Sequence, residues 1–477
     1  MMVLFRTFGC KANQYDSQRM RQELEALGVR TGSLPAEARV CVVNTCTVTS
    51  QADAHARRFI RRLRRENPGV AVVVAGCSSA LKPQTYREME GVVGVVEGHD
   101  PVEVARAVQL ELRGSVPGAG MEAAGGKLLE RREGGARGWL KIQDGCDRRC
   151  SFCATRLARG PSRSRPPDEV VAEARLLAHS HPELVITGIH IGHYGMDLDP
   201  GLTLSRLVAL LLEKAPGVRL RLGSVEATEV DDLLLDLVES SGGWLAPHLH
   251  MPLQSGSDSV LGRMRRWHTR EMYRRRVLEV AERLQVLGLG ADVITGFPGE
   301  TDRDHLFTRS LVEELPFTYL HVFPFSPREG TAAAELAGRV PQRVAGERSR
   351  ELRELALEKG RIYRQGRVGE RAWVVLEGDG GWALTEDYLR VKAEGAGPET
   401  TESPPRRSGD RQSPSRSRGA SPPGRQGLLP GRLGGSGDHL TIDLSHALQP
   451  ISENPAEDGP WQGTGSPGPE GRRLLNE

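Results

Sequence analysis

Over the first 112 residues, short apolar runs alternate with longer polar stretches of helical spacing. Strands are predicted at 3–8, 39–44 and 70–75, with helices near 15–27 and 52–66. Alternation of this kind packs as a parallel sheet with helices on its faces, and open parallel sheets gather ligands just outside the carboxyl ends of their strands. Three of the apolar runs end in cysteine: "VLFRTFGC" at Cys10, "VCVVNTC" at Cys46 and "VAVVVAGC" at Cys77. Such ends can converge on one sheet edge, where three thiolates form a metal site; three separate core cysteines are the competing reading. Cys41 lies five residues before Cys46, about 16 Å away along an extended strand, and is expected to pack in the core.

Residues 113–137 are rich in Gly and Ala and read as a linker. A second alternating block follows, with strands predicted at 139–143, 183–189, 218–225, 248–254, 291–297 and 319–325. Helical stretches such as 168–180, 204–214 and 271–285 separate them. Six strand–helix units in series predict an α/β barrel over 138–364, complete or partly open, with its site at the strand carboxyl ends. A helix is expected near 341–364, and residues 371–394 read as paired strands, which places a partial β module at 365–395. From 396 to 477 the chain turns to Pro, Gly, Ser and Arg. Such text buries too little apolar surface to offset its ordering entropy, so a disordered tail is expected, with "HLTIDLS" as a candidate short strand.

A chain of 477 residues suits about three domains. No apolar run approaches the roughly 20 residues of a membrane span, and the opening "MMVLFRTFGCKANQ" is too short for a signal-peptide core, so a soluble, cytoplasmic protein is expected. Seven cysteines without a secretion signal argue for reduced thiols serving as metal ligands or nucleophiles. The formal net charge of +2 conceals a basic segment: residues 126–165 hold eleven Lys or Arg against four Asp or Glu. That segment suits an anionic partner; a solvated charged surface is the plainer alternative.

Directly after the first predicted barrel strand comes "GCDRRCSFC", with Cys146, Cys150 and Cys153 in one tight loop. Three such thiolates can ligate three irons of a cubane cluster and leave the fourth iron open to a small chelating ligand. Structural zinc normally takes four closed ligands, and the next histidine, His179, falls within a predicted helix. Iron–sulfur chemistry is therefore favoured over zinc.

Across about residues 3–394 the chain carries, in order, "GCKANQYDS", "VVNTCTVT", "VAGC", "GCDRRCSFC", "ITGIHIGHYG", "HLHMPLQSGSD", "DVITGFPGETD" and "FSPREGT". In this it resembles the radical S-adenosylmethionine enzymes, specifically their methylthiotransferase branch. The "GCKANQ" and "NTCTVT" stretches are most similar to the MtaB type, which modifies N6-threonylcarbamoyladenosine beside the tRNA anticodon. The resemblance implies a 4Fe-4S cluster on Cys146, Cys150 and Cys153 that binds S-adenosylmethionine and cleaves it to a radical. It also implies an auxiliary 4Fe-4S cluster on Cys10, Cys46 and Cys77 that carries the sulfur, with two S-adenosylmethionine molecules used per turnover.

Phe152 would stand near the cofactor adenine, and Gly188, Ser224, Glu226, Gln254 and Arg266 would contact cofactor or substrate. Arg148, Arg149, Arg159 and Arg163 would meet RNA phosphates, and an electron donor such as flavodoxin or ferredoxin is implied. "GFPGET" at 296–301 lacks phosphate-loop spacing and its lysine and reads as a turn shaping the pocket. Two departures stand out: Arg156 replaces the usual proline after the third cysteine, and only 367–394 resemble the family's RNA-binding β-barrel, TRAM. Rival readings are the same chemistry on another tRNA adenosine or a ribosomal protein, and a non-catalytic iron–sulfur or zinc RNA-binding protein.

Overall fold

The computed structural model describes residues 2–32, 38–48, 50–113, 124–378, 381–394, 427–435 and 439–444. The first unit runs β1 (Met2–Thr7), α1 (Lys11–Ala26), β2 (Arg30–Gly32), β3 (Ala38–Thr45), α2 (Ser50–Glu66), β4 (Ala71–Gly76), α3 (Cys77–Leu81), α4 (Pro83–Arg87), β5 (Val92–Val95) and α5 (Pro101–Arg113). Its strands form one parallel sheet in the order β2-β1-β3-β4-β5. β4 is buried at every position, as expected of a central parallel strand covered on both faces. Met20, Leu24, Val104 and Val108 pack one face; Ile60, Leu63 and Tyr86 pack the other together with Cys41, which is fully buried.

Helix α1 begins at Lys11, earlier than the periodicity of its sequence suggests. The physical reason is that Asn13, Asp16, Ser17 and Arg19 are buried on it, so its packed face is polar and apolar spacing does not reveal it.

The second unit contains β6 (Arg137–Lys141), β7 (Gln143–Asp144), α6 (Thr155–Arg159), β8 (Arg163–Ser164), α7 (Pro167–Ala178), β9 (Glu183–Thr187), α8 (Leu204–Lys214), β10 (Arg219–Leu222), α9 (Asp232–Ser240), β11 (His248–His250), α10 (Asp258–Met264), α11 (Arg270–Arg283), β12 (Gly288–Thr295), α12 (Asp302–Glu314), β13 (Tyr319–Pro324) and α13 (Gln342–Gly366). Parallel ladders β10-β9-β6 and β11-β12-β13 are joined by the bridges Leu220↔Leu245 and Ser224↔His250. The result is a six-stranded arc, and among the described residues no ladder joins β6 to β13; the barrel is partial. Leu140, Leu184, Ile186, Leu220, Leu222, Leu249 and Leu289 belong to the main core with the surrounding helices. Alternate positions on the same strands point the other way, and there the chain places Arg137, Lys141, Glu183, Arg219, Arg221, His248, His250, Asp292, Tyr319 and His321. The inside of the arc is polar.

Helix α1 lies against β6. Asp16 accepts from Lys141 Nζ at 2.7 Å and from Arg159 Nη2 at 2.8 Å, while Asp144 accepts from Lys141 at 2.6 Å and from Arg159 Nη1 at 2.9 Å. Tyr15 donates to Glu173 at 3.0 Å. The described part of the expected linker is docked and does not run free. Glu23 accepts from the backbone N–H groups of Ala124 and Gly125, Arg19 donates to the Leu128 carbonyl, and Leu129 is fully buried.

The C-terminal module is more complete than the sequence suggests. β14 (Arg371–Glu377), β15 (Trp382–Thr385), β16 (Arg390–Glu394), β17 (Leu428–Gly435) and β18 (Leu440–Asp443) close into a barrel in the order β14-β15-β16-β18-β17. The expected boundary at 395 is thereby corrected: two of the five strands come from the stretch read as tail, and "HLTIDLS" does supply one. β17 escapes notice because "LLPGRLGG" carries a proline and three glycines, which ordinarily argue against a strand. The barrel requires one of them, since a Cβ on Gly431 would lie 2.5 Å from Ile442 Cγ1. The remainder of 396–477 lies outside the described residues.

This barrel docks on the amino ends of the arc strands. Arg219 donates to the Trp373 carbonyl at 2.9 Å, and Arg221 donates to the carbonyls of Glu386 and Thr385 at 2.8 and 2.9 Å. Glu183, wholly buried, holds both arginines at 2.7 and 2.8 Å. Burial works against its charge, yet Arg221 and Arg219 keep its pKa down to about 2.

A carboxylate whose folded pKa lies below its unfolded value stabilises the fold above the unfolded value and loses that contribution as pH falls toward the folded one. Glu183→Gln should therefore cost about 3 kcal/mol at neutral pH in urea unfolding and flatten the acid dependence between the ordinary value of 4.5 and about 2. Removing everything after Glu394 takes Leu433, Leu440 and Ile442 from a core shared with Val374 and Val391. Limited proteolysis should then cut 367–394, which the full chain protects.

Candidate active site

The cysteine loop of the second unit leaves β7 through Gly145, whose φ is +70°. A Cβ there would lie 1.8 Å from the Pro161 carbonyl oxygen, so only glycine fits. The loop is pinned by Cys146 N–H to the Gly160 carbonyl at 3.0 Å, Ser151 N–H to the Met264 carbonyl at 2.9 Å and Ser151 Oγ to the Arg263 carbonyl at 2.8 Å. Cys146, Cys150 and Cys153 are half-buried and free of disulfides. Burial pushes the Cys146 thiol up to about 11, with Cys153 and Cys150 adding to the rise.

Charged neighbours surround these sulfurs. Arg266 Nη1 is 3.5 Å from Cys150 Sγ, and its other arm donates to Glu226; burial raises the Glu226 pKa. His190 Nδ1 is 3.7 Å from Cys146 Sγ, and its Nε2 meets Glu229 at 2.8 Å. His193 stacks on His190 with ring centroids 4.0 Å apart and also reaches Glu229, at 3.2 Å. Although burial opposes it, these histidine hydrogen bonds bring Glu229 down to about 2. Arg148 lies 3.9 Å over the Trp267 ring and 3.3 Å from Glu229. His190, His193, Glu229 and Trp267 were missed from sequence. The paired histidines of "ITGIHIGHYG" were the available signal; Glu229 and Trp267 carried none.

Of the other expected contacts, Glu226 and Arg266 come together at Cys150. Gly188 sits where a Cβ would lie 2.8 Å from the Gln143 carbonyl oxygen, which brings the end of β9 against the base of the cysteine loop. Gln254 adopts φ +66°, unusual for a side-chain-bearing residue, and bridges to Val293. Ser224 is exposed and bridges to His250. Phe152 packs against Val260, Met264, Phe297 and Ala333.

The arginines expected to meet RNA divide. Arg149 and Arg163 are exposed, and Arg148 is engaged by Glu229 and Trp267. Arg159 is corrected: its side chain is 1% exposed and is committed to two carboxylates, so it holds the protein together and does not face a ligand from solution.

In the first unit, β1, β3 and β4 are adjacent parallel strands, so the residues after them share one edge. Gly9, at φ +98°, places the backbone so that a Cβ would lie 2.4 Å from Cys46 Sγ, which brings the Cys10 turn onto Cys46. Cys77 Sγ is 3.4 Å from His99 Nε2, 3.7 Å from Asn13 Oδ1 and 3.3 Å from Arg159 Nε. Burial pushes the Cys77 thiol up to about 12; Arg159 opposes this, and Cys10 and Cys46 reinforce it.

A single tetrahedral zinc, with bonds of about 2.3 Å, would bring its sulfurs to within about 4 Å of one another. Among the described residues neither cysteine triplet gathers its sulfurs within 4.8 Å, whereas His190, His193 and Glu229 do gather their ligand atoms. Neither triplet as it stands therefore has the spacing of a single tetrahedral zinc.

Residues 2–98 match the Uncharacterized protein family UPF0004, and residues 140–311 match the Radical SAM superfamily. Threonylcarbamoyladenosine tRNA methylthiotransferase MtaB of Rickettsia prowazekii is 34% identical over 394 residues, 81% of this chain and 90% of that protein. The enzyme of the same name from Aquifex aeolicus is 34% identical over 411 residues, 83% and 97%. The tRNA-2-methylthio-N(6)-dimethylallyladenosine synthase of Bacillus pumilus is 32% identical over 388 residues, 78% and 76%. Among solved structures, the radical S-adenosylmethionine methyltransferase TsrM of Kitasatospora setae, with cobalamin and a 4Fe-4S cluster bound, aligns over 70% of this chain and 74% of its own. Its TM-score is 0.53 at 16% identity, a likeness of fold. No helix among the described residues is long and apolar enough to cross a membrane. With both matched regions in order and relatives spanning nearly their full length, the chain belongs to the radical S-adenosylmethionine methylthiotransferase family, in its MtaB-type tRNA-modifying branch.

Proposed function

We propose that this transferase methylthiolates the adenine ring of N6-threonylcarbamoyladenosine beside the tRNA anticodon, with a separate 4Fe-4S cluster on each cysteine triplet. The observation that carries the reading is the pairing of two thiol sites across one interface: Arg159, six residues after Cys153, lies 3.3 Å from Cys77. Bound there, a reduced cluster with S-adenosylmethionine supplies hydrogen-atom abstraction, and the second cluster supplies the methylated sulfur. An aromatic carbon–hydrogen bond offers no acidic proton for a general base, which is why such chemistry is needed.

The chain's own residues bind and orient. Cys146, Cys150 and Cys153 hold one cluster; Cys10, Cys46 and Cys77 hold the other. Arg266 neutralises charge at Cys150 and is itself held by Glu226, so the pair sets the polarity where the cofactor lies. The exposed Arg149 and Arg163 flank the loop and suit RNA phosphates. A target base in a single-stranded anticodon loop leaves its stack at less cost than one in a duplex. A small reducing protein such as flavodoxin or ferredoxin, in the cytoplasm, would complete the reaction.

Anaerobic reconstitution should give about eight irons per chain. Replacing Cys146, Cys150 and Cys153 by Ala should halve the iron and abolish cleavage of S-adenosylmethionine. Replacing Cys10, Cys46 and Cys77 should halve the iron and spare cleavage, and Cys41→Ala should change neither. Loss of all iron from either triple variant in folded protein would sink the two-cluster arrangement. Nucleoside mass spectrometry should find the methylthio product on tRNA carrying threonylcarbamoyladenosine and none on tRNA lacking that group. Equal action on dimethylallyladenosine would move the enzyme to the other tRNA branch.

A further inference from the structure

Inside the open barrel, three buried nitrogen donors have no hydrogen-bond partner among the described residues: Trp139 Nε1, Arg219 Nη2 and Arg137 Nη1, which stands 3.9 Å from Glu183. Arg137 and Arg219 are the first residues of β6 and β10, and Trp139 follows on the same face of β6. Buried donors left without hydrogen bonds are costly; three at one end of one chamber call for a ligand rich in acceptors.

Lys11 opens onto this end. It follows the cluster ligand Cys10 and lines a cleft of about 390 Å³ with Gln14, Arg132, Arg137, Trp139 and Glu377. Among the described residues its ammonium has no ion pair or hydrogen bond. The nearby anions are already taken, Glu183 by Arg219 and Arg221 and Glu377 by Arg137 at 2.7 Å. Arg132 adds a further cation, stacked 4.1 Å over Trp139. The cleft is thus short of negative charge and of acceptors alike.

A carboxylate supplies both. We propose that Lys11, with Arg137 and Trp139 beside it, binds the carboxylate on the N6 substituent of the substrate adenine, so that this cleft selects a charged arm over an apolar one. The proposal rests on the threonylcarbamoyladenosine reading above. The side arm of a single base is slender enough to enter a cleft of this size, whereas a backbone phosphate would have to bring the whole strand with it. The related synthases named for dimethylallyladenosine act on an arm with no charge, so a carboxylate site is where the two specificities would part.

The test uses the full cluster-loaded chain and three anticodon stem-loops that carry the threonylcarbamoyl group, its carboxamide or a dimethylallyl group. Fluorescence anisotropy gives Kd and product formation gives KM. The wild type should favour the acid over the amide. Lys11→Met should raise Kd and KM for the acid by about 10- to 100-fold and leave the amide within about twofold, with Lys11→Arg restoring most of the loss. Trp139→Phe, which removes one donor and keeps the ring, should weaken the acid by a smaller factor. Equal weakening of acid and amide by Lys11→Met would mean a backbone contact and overturn the proposal, as would no change in either. A wild type that treats acid and amide alike fails the carboxylate site only. A wild type that modifies none of the threonylcarbamoyl RNA fails the substrate reading itself.

Discussion

One buried guanidinium sets the relation between the two halves of the chemistry. Arg159 ends the short helix that follows the second cysteine loop, and it reaches across the interface to Asp16, Asn13 and Cys77 of the first unit. Taking a cation out of water costs several kcal/mol, and the cost is recovered only when partners are close and every donor is used. Here Asp144 and Asp16 satisfy the charge, and Lys141 shares both carboxylates, so two cations meet two anions in a dry contact. Were the units to slide, a charge would be stranded. The distance between the two thiol sites is therefore fixed by electrostatics and not by the intervening chain.

That fixed distance matters because the sites must act on one substrate. The Cys46, Cys77, Cys146 and Cys150 thiols are held up by burial and by neighbouring thiols, so they bind as thiolates only when a metal centre repays the ionisation, and loading releases protons. Around the second loop a further shell of charge, Arg266 with Glu226 and Arg148 with Glu229, His190 and His193, orients the groups nearest the sulfurs. Between these centres and the amino ends of the strands lies a chamber whose walls are polar where an ordinary barrel would be packed with branched aliphatics. Its lining fits a guest with hydrogen-bonding edges better than an apolar one.

The small C-terminal barrel depends on the same logic of buried charge. Glu183 orders Arg219 and Arg221, which in turn cap backbone carbonyls of the docked module. The small barrel is thus joined directly to the floor of the chamber. Its closing strands enter from beyond a long low-complexity stretch, yet Leu433, Leu440 and Ile442 bury as completely as the core of the first three strands.

The sequence by itself determined the alternation of the main strands and helices, the partial-or-full barrel class, the burial of Cys41 and the position of Cys10, Cys46 and Cys77 just after predicted strands. These follow from local periodicity and from the rule that parallel strands present their carboxyl ends together. It also singled out Glu226 and Arg266, which the structure brings together at Cys150. Only the tertiary structure decided the rest. Arg159 reads as a surface cation until Asp16, 143 residues away, is seen to claim it. Glu229 and Trp267 have no local pattern that sets them beside Cys146 and Arg148. The strand Leu428–Gly435 contradicts its own propensity and exists because Ile442 and the first three strands offer it a core. Ion pairs between distant segments, and strands stabilised by contacts rather than composition, have no signature in a short window, because the energy that selects them comes from partners that the window does not contain.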